Sequence, residues 1–372
     1  MANSIQSIRN VYDIAKGAKD NGKPMSDEEI KVLLEKTVSE ESLITEYPRF
    51  AKGYAAEDLF MRIFSLLPWV NSVVPLGQEQ FPEESKKILQ VPDYEIIFQV
   101  GNNVNTSCVL IEVKLVDGDK QTYELQKYKY DVLKEYSNQK KETLLFGIFW
   151  RKQRIWTINS IESFSKKSSA YKISYENARM DDLSAIFGDY TYLFRKQCFR
   201  KSIFSKKEDI STEFVHSHEK YGRVLYEGLS LGGKDFKALC MLEPAVLDCA
   251  FDFREISCNK LSDTDTEVIE QYDQLPYVHK LSSLILLYLQ KMCCWDQNDM
   301  YYRKNIVVEK AFDIVDTVRQ KCGGERFYLL PYNITDTASK MVELQFGTVK
   351  RIVDGYKNTQ RKDKQLILVS HE

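Results

Sequence analysis

Charge of one sign is missing from this chain of 372 residues: 52 Lys and Arg face 54 Asp and Glu, for a formal net charge of -2. That excludes a polycation and confines any phosphate-binding region to a local patch. Long apolar runs are missing too. The longest, 284–289, falls far short of the roughly 20 residues that a bilayer span needs, so no membrane partner is expected. The opening residues, Met1 to Gln6, carry neither a basic stretch nor an apolar one, and no export signal is expected. The eight Cys (108, 198, 240, 249, 258, 293, 294 and 322) include no CxxC pair, which excludes a zinc ribbon or a dithiol redox motif. Several sit in apolar surroundings and read as buried thiols of a reducing, cytoplasmic protein. There is no internal repeat and no low-complexity stretch. What is present is the material of a soluble globular protein: 43% hydrophobic and 28% charged residues, with 22 Tyr and 19 Phe to fill a core. The length suits two domains, or one enlarged core with additions.

Ser26 and Glu29 have the spacing of a capping box before Ile30, Val32, Leu33 and Leu34. A second helix is expected over 51–67, ended by Pro68. Three extended stretches follow, at 71–76, 91–100 and 106–116. The last holds Cys-Val-Leu-Ile-Glu-Val-Lys-Leu-Val, apolar on both faces, as a buried central strand is. Gly101-Asn-Asn is the expected turn between the last two. A helix is expected over 123–136, then strands at 144–150 and 154–158. The later half is expected to mix short pieces up to about 260 and then to be mainly helical, at 263–272, 278–295 and 305–321, the last ended by Gly323-Gly324.

Glu112 interrupts an apolar strand, where a carboxylate is costly unless paired, hydrogen-bonded or bound to metal. Lys114, two residues on, leaves the same face. Asp93 follows Pro92 at the start of the preceding strand. If the two strands form a hairpin, Asp93 and Glu112 converge at one end of the sheet. Two hard oxygen ligands there suit Mg²⁺ or Mn²⁺. The plainer reading is a core ion pair between Glu112 and Lys114.

Pro92-Asp93, then Glu112-Val113-Lys114, resembles the signature of the PD-(D/E)xK nuclease superfamily. That group includes restriction endonucleases, Holliday-junction resolvases and recombination exonucleases. The resemblance implies an α/β class with a restriction-endonuclease-like αβββαβ core, and residues 51–149 read in that order. It implies a domain at 1–165 comprising a helical extension and this core. A second, mixed or mainly helical region at 166–372 would then serve recognition, oligomer formation or sensing. It implies a metal held by Asp93, Glu112 and the Val113 carbonyl, with Glu57 contributed by the preceding helix. Lys114 would act on water or phosphate. Gln126 and Tyr130 match a Gln-x-x-x-Tyr carried on the following helix by some branches, and would position the substrate backbone or brace the site. Glu95 rivals Asp93. The activity implied is Mg²⁺-dependent hydrolysis of phosphodiester bonds, in DNA rather than RNA, by a homodimer or higher oligomer. A role in restriction or antiphage defence rests on the same resemblance. The competing reading is a non-catalytic nucleic-acid-binding or scaffold protein that keeps the fold.

A basic stretch, Arg195, Lys196, Arg200, Lys201, Lys206 and Lys207, has Phe199 and Phe204 interleaved. Such a pattern suits phosphates and bases, or equally a solvated helix face. Gly228 to Asp235 falls one residue short of a phosphate-binding loop, since Asp235 stands where Ser or Thr would hold Mg²⁺. A glycine-rich turn is the default there. His216-Ser-His218 has no third ligand nearby and reads as a polar loop.

Overall fold

The computed structural model describes residues 4–77, 80, 82–101, 105–194, 197–214, 217–240, 243–272, 277–293, 313, 316, 319–320, 325–331, 335–347 and 367–369. They fall into two compact units, 4–189 with 328–369, and 190–293 with 313–327. The first thus runs past the boundary of 165 expected from the sequence and recovers a later piece of chain.

The first unit opens with three helices, α1 (Ser4–Asp20), α2 (Asp27–Thr37) and α3 (Glu41–Phe64). The capping box forms: the Ser26 hydroxyl accepts from the Glu29 N–H, and the Glu29 carboxylate accepts from the Ser26 N–H. α3 starts ten residues before the expected 51. Leu43, Ile44, Tyr47 and Phe50 recur at helical spacing there and pack against Ile8, Val11, Leu34 and Val38. That packing carries the helix through Pro48, which removes one backbone donor.

Then come β1 (Val70–Pro75), β2 (Tyr94–Val100), β3 (Asn105–Val116), β4 (Thr122–Gln126), α4 (Lys127–Lys140), β5 (Thr143–Trp150) and β6 (Ile155–Asn159). The main sheet has the order β1-β2-β3-β5-β6, with β3 and β5 parallel and the other pairs antiparallel. In the turn between β2 and β3, Gly101 takes φ +59°, and residues 102–104 lie outside the described ones. α3 lies against one face of the sheet. Gly147 on β5 leaves room for Phe60, since a Cβ there would come within 2.8 Å of its ring. On the other face Leu133 of α4 packs with Leu110, Phe146 and Ile148. The expected helix over 123–136 is corrected: its first residues form β4, which pairs with β8 (Ala170–Ser174), as does β7 (Ser165–Lys166). α5 (Tyr175–Met180) follows, and the helix Asp336–Phe346 belongs to this unit.

The second unit corrects the expectation of a mainly helical later half. It contains β9 (Thr191–Phe194), β10 (Cys198–Ser205), β11 (Ser217–His218), β12 (Gly222–Leu231), β13 (Lys237–Ala238), α6 (Glu243–Ala250), β14 (Arg254–Lys260), β15 (Asp265–Tyr272), β16 (Tyr277–Lys280) and α7 (Leu281–Cys293). An antiparallel sheet runs β11-β12-β10-β15-β14, with β13 on β12. The stretch 263–272, read as a helix, is largely β15. Val268 and Tyr272 are buried while Glu267 and Glu270 meet Lys201 and Arg200 of β10, and this cross-strand pairing overrides the helix-like spacing. α7 agrees with the helix expected over 278–295, after the short strand β16. Of the helix expected over 305–321, residues 313, 316, 319 and 320 are helical and the others lie outside the described residues, as do Gly323 and Gly324. Of the thiols whose apolar neighbours suggested burial, Cys108 is half-buried and Cys240 is exposed, which corrects that expectation; Cys198 is buried and Cys258 exposed. No described helix is long and apolar enough to cross a membrane.

Candidate active site

β3 is the central strand of the main sheet, with β2 on one side and β5 on the other. Its residues 109, 111 and 113 are apolar and buried, and so is Leu110. Glu112 is nevertheless only 3% exposed. The register sets Tyr94 opposite Ile111, so Asp93, one residue before β2, comes level with Glu112. The Asp93 backbone is fixed there by the Leu76 N–H, which donates to its carbonyl at 3.0 Å. Its carboxylate accepts from the Val113 N–H at 2.7 Å. Lys114 Nζ donates to Glu112 Oε1 at 2.6 Å. The other oxygen, Glu112 Oε2, is buried and has no hydrogen-bond partner. A deeply buried carboxylate oxygen without a donor is expensive, and a bound cation is one way to satisfy it.

The charges around these groups describe one shared site. Burial pushes the Asp93 carboxyl well above the usual carboxylate range, and the neighbouring Glu112 adds to this. Burial likewise pushes Glu57 of α3 up to about 7, partly offset by Arg9 and Lys114, while Glu112 raises it further. Lys114 is held above its ordinary value: burial opposes its charge, but Glu112 and Asp93 more than offset this. Tyr123 on β4 is pushed up to about 12, first by burial, and Lys114, Glu112 and Asp93 all act on its hydroxyl. Lys129 of α4 is lowered by burial, with Glu112, Lys114 and Asp93 among the charges it feels.

Glu57 is joined to α1. Arg9 Nη1 donates to Glu57 Oε2 at 2.7 Å and Nη2 to Asp58 Oδ1 at 3.3 Å. The Arg9 guanidinium lies 4.6 Å from the Tyr54 ring centroid. Lys16 and Tyr12, also on α1, donate to Asp58 at 2.6 and 2.9 Å. Arg9 and Tyr123 carry no local sequence signal for this place, because each comes from an element whose packing is long-range.

Of the residues singled out in the sequence, Glu57, Asp93, Glu112, Val113 and Lys114 come together. Gln126 and Tyr130 do not join them. Gln126 is exposed at the N-cap of α4, and its side chain makes no cap hydrogen bond. Tyr130 meets Tyr171 edge-on at 5.0 Å and lines a cavity of about 440 Å³ with Lys134, Ser160 and Glu162. Glu95 lies two register positions from Asp93 and interacts with Cys108.

In the second unit, Arg195 and Lys196 lie outside the described residues, as does His216. Arg200 donates to Glu270 at 2.6 Å, pairs with Asp248 and lies over Phe253. Lys201 is 3.6 Å from Glu267. This part of the basic stretch is therefore a strand with its charges matched by carboxylates. Lys206 and Lys207, just beyond β10, are exposed. The glycine-rich run at 228–235 ends β12 and leads to the strand β13, not to a helix whose N-terminus would face a phosphate.

The donor set fits a hard divalent ion. Asp93 and Glu112 supply carboxylates, and Glu112 Oε2 is the orphaned atom. No group of three or more His, Cys, Asp or Glu side chains poised for a metal occurs among the described residues. Mg²⁺ does not need one, since it is commonly bound by one or two carboxylates and keeps several waters.

No family model matches the chain, and no curated protein matches it. Among solved structures, the chain is similar to a Holliday junction resolvase, Hjc, of the archaeal hyperthermophile Archaeoglobus fulgidus. That similarity has 16% identity and a TM-score of 0.26, and covers 37% of this chain and 96% of the other.

Proposed function

We propose that the first unit is a metal-dependent nuclease of the PD-(D/E)xK type, hydrolysing phosphodiester bonds in DNA rather than RNA. The observation that carries this reading is Glu112: deeply buried, one oxygen on Lys114, the other without a partner, and beside a second carboxylate, Asp93. A core ion pair would explain the first contact but not the orphaned oxygen or the second acid.

Asp93 and Glu112 would hold Mg²⁺ or Mn²⁺, with the Val113 carbonyl and Glu57 as further donors. When bound, the ion polarises the phosphate and lowers the pKa of water. Asp93 is oriented for this by the Val113 N–H. Lys114 Nζ, anchored on Glu112, orients the attacking water or neutralises charge gathering on the phosphate. Arg9 fixes the Glu57 carboxylate. Gln126 and Tyr130 are not needed for these roles. Of the described residues in the basic stretch, Lys206 and Lys207 are exposed and open to phosphate, and Arg200 and Lys201 are tied to carboxylates. A homodimer acting in the cytoplasm, in restriction or antiphage defence, completes the reading.

Incubation of purified protein with supercoiled plasmid, single-stranded DNA and RNA tests it. Cleavage should disappear in EDTA and return with Mg²⁺ or Mn²⁺. Undiminished cleavage in EDTA removes the metal from the reading, and no cleavage of any substrate favours the non-catalytic alternative.

A further inference from the structure

Two segments of the first unit meet beside the carboxylates and leave large apolar side chains in solvent. One is the start of α4, with Lys127, Tyr128 and Lys129 in succession. The other precedes Pro92 and carries Lys86, Lys87 and Ile88. Tyr128 is 68% exposed and Ile88 is 67% exposed. Lys127 and Lys87 are exposed as well. The segments are tied together: the Gln90 N–H donates to the Val132 carbonyl at 3.0 Å, and Lys129 Nζ donates to Gln90 Oε1 at 2.7 Å.

Lys129 joins this rim to the site. It stands four residues before Leu133 and eight before Ser137, the two buried positions of α4, and so shares their face. A lysine there takes a place that an apolar residue would fill in an ordinary amphipathic helix. Glu112, Lys114, Asp93 and Lys86 are the charges that act on it. Tyr128 is one residue earlier and turned away from that face into solvent.

The combination defines a ligand. An exposed aromatic ring beside lysines suits a base that stacks and phosphates that pair. Self-association through Tyr128 and Ile88 would bring Lys86, Lys87 and Lys127 against their own copies. Among the described side chains, Glu84, Glu124 and Asp131 are the exposed acids within a few residues, and Glu124 is already paired with Lys172, which leaves too few to balance them. A duplex keeps its bases stacked inside and cannot offer one to Tyr128. We propose that Tyr128 is a stacking platform for an unpaired base beside the phosphodiester to be cut, so that the substrate class is nucleic acid single-stranded at the cleavage point. Lys127 and Lys87 hold flanking phosphates. The proposal rests on the nuclease reading for the position of the cut, but the platform itself can be tested separately.

The test uses the full chain with Mg²⁺ and fluorescent, cleavage-resistant phosphorothioate probes: an oligothymidylate and a blunt duplex of equal length. Fluorescence anisotropy measures binding, and circular dichroism checks that each variant is folded. Tyr128→Ala should weaken oligothymidylate binding about ten-fold, the order expected for one lost base stack. It should change duplex binding less than about two-fold, and Tyr128→Trp should restore the parent affinity. Unchanged oligothymidylate binding in Tyr128→Ala, or equal losses on both probes, overturns the proposal. Cleavage of ordinary DNA by the parent is scored in parallel. A parent that cuts DNA while Tyr128→Ala binds both probes like the parent keeps the nuclease and loses the platform. A parent that cuts nothing but binds oligothymidylate through Tyr128 keeps the platform and loses the nuclease.

Discussion

At the scale of residues, the site is a balance of three acids against few cations. Lys114 is the base closest to Glu112, and its removal leaves a buried carboxylate with no partner at all. Lys114→Ala should therefore cost about 3–5 kcal/mol of stability without metal, the order seen when one half of a buried pair is removed. In the nuclease reading, Mg²⁺ should return much of that loss, because the acids it would neutralise are still present, while cleavage falls by about 100-fold or more. Chemical denaturation with and without Mg²⁺ measures both terms, and a loss that Mg²⁺ leaves untouched favours a purely structural pair. The same acids set a pH dependence. Glu57 has a folded pKa of about 7, raised from 4.5 chiefly by burial, and Asp93 is raised in the same sense. The folded state then binds more protons than the unfolded chain between these values. Stability without metal should fall as pH rises from 4.5 to about 7, and saturating Mg²⁺ should flatten the slope. A metal-free protein that gains stability across that interval contradicts the assignment. The residue-level features legible in the sequence were those carried by one strand: a carboxylate and a lysine two apart share a face whatever the tertiary structure.

At the scale of elements, legibility followed how local the determinants were. β3 announced itself through a β-branched run, and α2 through a capping box whose two hydrogen bonds form within four residues. The start of α3 did not, because residues 41–50 are helical through packing on α1 and α2. β4 was absorbed into the helix that follows it, since its strand character depends on β8, some fifty residues later. That shift leaves Gln126 at a helix cap and puts Lys129, not Tyr130, toward the acids. α1 shows the same limit at the site: Arg9 lies 48 residues from Glu57 in sequence. Replacing Arg9 by Ala removes donors to both Glu57 and Asp58, though Lys16 and Tyr12 still hold Asp58. Arg9 is 26% exposed, so the cost is that of a partly solvated pair, about 1–3 kcal/mol. Thermal unfolding of Arg9→Ala and Arg9→Lys measures it. An unchanged midpoint in Arg9→Ala would show that Lys16, Tyr12 and the apolar face of α1 anchor the helix without Arg9.

For the whole molecule, the question is how many sites meet one substrate. The second unit was poorly legible because its strands are defined by pairing with one another, as Arg200 with Glu270 and Lys201 with Glu267 show. Arg200 and Lys201 are thus matched by carboxylates, and only part of the basic stretch is left open for the phosphate contacts of the nuclease reading. Each chain offers one Asp93, Glu112 and Lys114 constellation among the described residues. One such site cuts one strand at a time, and concerted cleavage of two strands calls for two sites, which a symmetric dimer supplies most simply. If the substrate of the nuclease reading is a duplex rather than nucleic acid single-stranded at the cut, the expected outcome is a dimer in light scattering, with and without DNA, and linear plasmid formed without a preceding build-up of open circles. The two measurements are coupled, because dilution below the dimer range should turn linear product into open circles. A strict monomer that yields open circles at every concentration removes the dimer and leaves a nicking enzyme, for which one constellation per chain is sufficient.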